Sequence, residues 1–100
     1  VKIIFTLHAK ENLQRSISFL RVRSVPEEKI EEIVDDLLFR IESLAERQFL
    51  GQYEEYLRPQ TKHHRRLIVG AYKIIYYVAD GTVYITDIFD SRQNPTHMKG

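Results

Sequence analysis

The stretch His63–Arg92, HHRRLIVGAYKIIYYVADGTVYITDIFDSR, decides the fold of this 100-residue chain. Three apolar segments, Leu67–Val69, Tyr72–Val78 and Val83–Phe89, are separated by Gly70-Ala71 and Asp80-Gly81, the residue types that tight hairpin turns demand. The pattern predicts an antiparallel meander. Side chains alternate across a strand, so His64, Arg66 and Ile68 share one face of the first segment, and Lys73, Ile75 and Tyr77 share one face of the second. That face mixes charge with apolar surface. The opposite face carries Leu67, Val69, Tyr72, Ile74, Tyr76 and Val78, and needs a cover.

The cover is sought upstream. Lys2–Thr6 is rich in β-branched and aromatic residues and reads as a short strand bordering the meander. From His8 to about Arg23, Ala9, Leu13, Ile17 and Leu20 recur at helical spacing, with Lys10, Gln14, Arg15, Arg21 and Arg23 outside the stripe. Ser24-Val25-Pro26-Glu27 reads as a stop followed by a capping box, with Ser24 as the cap of a second helix. That helix is expected over Pro26–Leu50, about 37 Å at 1.5 Å per residue, ended by Gly51. Its acidic first half, Glu27, Glu28, Glu31, Glu32, Asp35 and Asp36, complements the helix dipole and reads as a solvated face. Gln52–Lys62 is expected to be a loop, and the chain after Arg92 to leave the sheet. The fold class is therefore α+β, β-α-α-β-β-β, a single domain with a helical hairpin on the apolar face of an antiparallel sheet.

Composition bounds the function. Hydrophobic residues make up 43% and charged residues 29%, which places the chain among ordinary globular domains. The run Leu67–Tyr72 is far short of the roughly 18 apolar residues that span a bilayer, and Ile3-Ile4-Phe5 is too short for a secretory core of about 7 or more, so no membrane association is expected. With no cysteine there is neither a disulfide framework nor a thiolate metal site, and a cytoplasmic setting is the expectation. The net charge of +1 conceals an asymmetry: residues 1–57 hold 8 Lys/Arg against 11 Asp/Glu, and residues 58–100 hold 7 against 3. A basic sheet half points to a polyanion or an acidic peptide as partner. His63 and His64, adjacent on a strand, are expected to point to opposite faces and not to chelate one metal, so neither metal nor cofactor is expected. Tyr72 and Tyr76 read as core, leaving Tyr77 and Tyr84 as surface aromatics.

The ordered set Ala9…Leu13, Ile41…Leu44…Gly51, RRLIVGAYKIIYYV, Asp80-Gly81, Val83, Ile85 and Arg92 resembles the RelE/ParE superfamily of bacterial type II toxins over almost the whole chain. The resemblance implies one of two activities. ParE-type members poison DNA gyrase by binding. RelE-type members cleave mRNA in the ribosomal A site without metal, the 2′-hydroxyl attacking the adjacent phosphate while basic residues stabilise charge. Both are silenced by a cognate antitoxin, giving a toxin–antitoxin hetero-oligomer. On the RelE-like alternative, His64, Arg66, Lys73 and Arg92 would surround a phosphate: His64 for proton transfer, Lys73 as a point charge, Arg66 and Arg92 as clamps. The sequence departs from that branch where Met98 stands in place of a late tyrosine and Asp90 where many relatives carry histidine. The ParE-like reading is therefore preferred, with Arg65, Arg66, Lys73, Tyr77 and Arg92 as residues that contact target or antitoxin.

Overall fold

The computed structural model describes residues 1–100. Strand β1 (Lys2–Phe5) is followed by helices α1 (Leu7–Val22) and α2 (Glu27–Ser43), then by β2 (Gln52–Tyr53), β3 (Arg65–Val69), β4 (Tyr72–Ala79) and β5 (Thr82–Asp90). The sheet order is β1-β5-β4-β3-β2; β1 lies parallel to β5 and the other pairs are antiparallel. The meander thus forms at the expected turns. Asp80 and Gly81 both take positive φ, 51° and 70°, as a two-residue turn matched to strand twist requires.

The helical hairpin packs on the face foreseen for it. Leu67, Tyr72, Ile74 and Tyr76 join Leu37, Ile41 and Leu44 of the α2 segment, Ala9 of α1, and Val83, Ile85 and Ile88 of β5 in one core, with Val69 and Val78 at its margin. Tyr76 is fully buried, and its hydroxyl accepts a 2.8 Å hydrogen bond from the Gly51 amide, so the phenol costs no unpaired polar group.

Three local expectations are corrected. Ser24 does not cap α2. It sits at φ 60° just past α1, with the Val25 amide donating to Leu20 O and the Ser24 amide to Arg21 O, which is the left-handed closure of the first helix. Pro26 starts α2 without any side-chain cap, while α1 is capped by Thr6, whose Oγ1 accepts from the Ala9 amide.

The second helix ends at Ser43, not Leu50. Residues past it must return to the sheet edge, and tertiary contacts override the helical pattern: the Val1 ammonium donates to Ala45 O, and Arg65 donates to the carbonyls of Phe49 and Gly51. Gly51 therefore ends no helix. An added Cβ there would lie 2.6 Å from Arg66 O and 2.8 Å from the Tyr76 hydroxyl, so close approach is what demands glycine. Gln52–Lys62, expected as loop, contributes strand β2 and a 3-10 turn over Glu55–Leu57.

The third correction concerns the mixed face, which is not open. Leu57 from that turn and Met98 from the C-terminal segment close over Ile75 and Phe89 as a second, smaller apolar cluster.

Candidate functional site

Strand pairing builds the basic face. Arg66 stands opposite Ile75 and Ile68 opposite Lys73, so Arg66, Lys73, Ile75 and Tyr77 share the face away from the helices. The expected cations are there, but a carboxylate is among them. The Glu54 amide donates to His64 O, and its side chain, 4% exposed, accepts from Lys73 Nζ at 2.9 Å and from the Tyr56 amide at 2.9 Å, with Arg66 Nη1 at 3.9 Å. Burial pushes the Glu54 carboxyl up, and the Lys73 hydrogen bond, the Tyr56 amide and the two cationic charges outweigh it, holding the group below the usual range. Arg66 also donates to Tyr53 O. Both cations thus have an internal partner.

His64 is 2% exposed, and neither ring nitrogen has a hydrogen-bond partner. Its ring meets Tyr77 edge-on at 5.4 Å; Tyr77 in turn stacks on Tyr84 at 4.9 Å and receives Lys62 Nζ at 4.7 Å from its ring centroid. Burial, reinforced by the Lys62 charge, pushes the imidazole down, which keeps it neutral. A buried, neutral ring without a hydrogen-bond partner is poorly placed to pass a proton. His63 takes φ 54° before β3 begins, so the two histidines do not alternate across a strand; both border one small cavity with Tyr53, Glu54 and Arg58. That corrects the expectation of opposite faces. No group of three His, Cys, Asp or Glu side chains is placed to hold a metal ion.

The remaining two cations lie elsewhere. Arg65 turns away from Arg66, and its guanidinium stacks on Phe49 (5.1 Å) and Tyr53 (4.2 Å) while bonding Gly51 O, Phe49 O and the Tyr53 hydroxyl. It staples the return from α2 to the sheet. Arg92 does not join His64, Arg66 and Lys73 around one centre. It pairs with Asp90 at 2.7 and 2.9 Å and borders a groove on the helix side, beside Tyr72. The Arg92 hydrogen bond overcomes burial and holds the Asp90 carboxyl below the usual range.

That groove, about 630 Å³, runs between α1 and the adjoining ends of β4 and β5. Arg15, Arg23 and Arg92 line it around Phe19, Leu20 and Tyr72, with Asp90 the single acid in its wall. Phe19 is half exposed, with the Arg23 guanidinium 5.6 Å from its ring centroid. Sequence reasoning placed Arg15 and Arg23 only as residues outside the helix stripe. Glu54 and Asp87 were missed altogether, since a single acid in a loop or strand carries no periodic signal.

A model of the ParE toxin of type II toxin-antitoxin systems, parDE, matches residues 3–95. The chain belongs to that family. No curated protein matches this toxin. Among solved structures, one from the chromosomal ParDE TA system from P. aeruginosa is similar at TM-score 0.71 and 18% identity, covering 88% of this chain and 92% of that one. That likeness concerns the fold, two helices on a five-stranded mixed sheet. No helix of the toxin is long and apolar enough to cross a membrane.

Proposed function

We propose that this ParE-family toxin arrests bacterial growth by binding DNA gyrase in the cytoplasm, contributing no catalytic group, and that a cognate antitoxin silences it. The observation that carries the reading is Glu54. It takes up Lys73 and Arg66, the cations an RNA phosphate would need, while Arg92 lies on the helix side and His64 is neutral, buried and without a hydrogen-bond partner. In-line cleavage of RNA needs charge stabilisation and proton transfer at one phosphate, and these side chains are not gathered for it.

The arginine-lined groove supports the second half of the proposal. Three guanidiniums around half-exposed apolar surface suit an antitoxin segment that presents apolar side chains flanked by carboxylates and folds as it binds. Arg92, the most exposed of the cations singled out from sequence, is then an antitoxin contact.

Incubating the purified toxin with gyrase and relaxed plasmid tests the target. The expected result is lost supercoiling with accumulation of cleaved DNA complexes, and primer extension on translated messages is expected to show no new A-site cuts. Intact supercoiling together with A-site cuts that vanish in Arg66→Ala would overturn the proposal in favour of a ribonuclease.

A further inference from the structure

The C-terminal segment crosses the basic face in an unusual way. Asn94 turns the chain, accepting from the Thr96 amide, and Pro95–His97 forms a single 3-10 turn. Met98 then enters the cluster of Leu57, Ile75 and Phe89. The Lys99 amide donates to Asp87 Oδ2 at 2.9 Å, and Thr86 Oγ1 donates to Lys99 O at 3.2 Å. Gly100 lies so close to His64 that a Cβ would stand 2.7 Å from its Cε1.

The receiving surface is shaped for a backbone. Pairing of β4 with β5 slips between Ile75/Asp87 and Tyr76/Ile85, leaving Thr86 as an extra residue. Such a bulge re-aims side chains, and here Thr86 and Asp87 present a donor and an acceptor to the backbone of one residue, Lys99. Asp87 is held from its other side by Asn12 Nδ2 at 2.7 Å, with His8 at 3.6 Å. The cradle is therefore fixed independently of what it holds.

The strand-like segment is weakly tied. One apolar side chain and two backbone hydrogen bonds hold it, and its closure leaves both nitrogens of His64 buried without partners. The gain from burying one methionine and the penalty for orphaning an imidazole are of the same order and opposite sign.

We propose that Pro95–Gly100 is a displaceable strap over the surface that meets the protein target, occupying the place of an extended target segment with an unbranched apolar side chain. The proposal rests on the reading of a toxin that acts by binding a protein. The strap itself shows what the surface accepts: an extended backbone on Thr86 and Asp87, a flexible apolar side chain among Leu57, Ile75 and Phe89, and a small residue at His64. With the strap withdrawn, that apolar centre is rimmed by His64, Arg66 and Lys73. Glu54 already pairs with Lys73 and Arg66 in that rim, so the segment is selected by its backbone and its apolar side chain rather than by a charge.

Two full-length variants test this, Met98→Asp, which removes the anchor, and Gly100→Val, which pushes from the other end and leaves the cluster untouched. His64 acylation by diethyl pyrocarbonate, read by peptide mass spectrometry with folding checked by circular dichroism, is expected to accelerate in both, and about tenfold in Met98→Asp, the factor that losing one apolar anchor implies. Growth arrest in cells without antitoxin is expected at lower induction. His64 as protected as in the parent chain in both variants would remove the strap. Accelerated acylation with unchanged or weaker growth arrest would show that the face is not the target surface. Because arrest rather than gyrase inhibition is scored, a failure of the gyrase assignment leaves this test intact.

Discussion

The two faces of the sheet are covered by different means. On one, two helices of 16 and 17 residues bury a continuous set of aliphatic and aromatic side chains, and the fully buried Tyr76 phenol is satisfied by Gly51. On the other, a 3-10 turn and a short C-terminal segment lay Leu57 and Met98 over Ile75 and Phe89, beside an ion cluster and an unpartnered histidine. The first cover is structural in the ordinary sense: the unpaired polar atom its helices bury, His8 Nε2, still lies 3.6 Å from the Asp87 carboxylate. The second leaves a conflict in place, and a polypeptide keeps such a conflict most readily where a surface has work to do.

Truncation is the largest way to separate the faces. Leu44 is fully buried among the helix-face residues, and Leu44→Ala is expected to cost about 2–5 kcal/mol, because that core has no freedom to collapse. Met98→Ala is expected to cost only about 1 kcal/mol, since the strap can withdraw rather than leave a cavity. Urea denaturation of both decides the matter, and equal losses would mean that the C-terminal segment is as much core as the helices.

This difference explains what the sequence made legible. The helix face announced itself because Leu67, Val69, Tyr72, Ile74, Tyr76 and Val78 obey a two-residue period and the helices a 3.6-residue one, and period is a property of sequence. Arg66, Lys73 and Tyr77 were assigned to the correct face for the same reason. What escaped was long-range and single. Glu54 reaches Lys73 across 19 positions, Lys99 reaches Asp87 across 12, and Asn12 reaches it across 75. Arg92 was grouped with the basic face by resemblance to the RelE branch, although it follows a strand whose end turns towards α1. Ser24 and Gly51 were read as caps from residue type alone, whereas one serves a left-handed turn and the other a close approach.

A second test asks whether the ion cluster stabilises its face. Glu54→Gln removes a charge acceptor from Lys73, and the expected loss is about 1–3 kcal/mol, at the lower end because Lys73 reaches water. The pH dependence carries the same sign. A carboxyl held below its ordinary value of 4.5 contributes stability above that value and loses it as pH falls through the depressed one. Acid titration of stability from pH 5 to pH 3 is therefore expected to be shallower in Glu54→Gln than in the parent chain. An unchanged slope would show that the cluster contributes nothing to folding.

The smallest effect has the opposite sign. His64→Leu replaces an imidazole with two unpartnered nitrogens by an aliphatic side chain of similar bulk, and a gain of about 1 kcal/mol is expected at pH 7. The gain should grow in mild acid. With the folded-state imidazole held below 6.5 by burial and by Lys62, the unfolded chain binds the proton first, so the parent loses stability as pH falls below 6.5 while the variant does not. The groups around that ring are Lys62, Tyr77, His63, Tyr53, Arg58 and Glu54, and His63 is the one other imidazole among them. His63→Gln is therefore the control. Guanidinium denaturation at pH 7.5 and 5.5 for the three chains isolates the His64 contribution. A His64→Leu chain that is less stable at both values would mean that the imidazole is satisfied after all, and the contrast between a settled face and a frustrated one would fall with it.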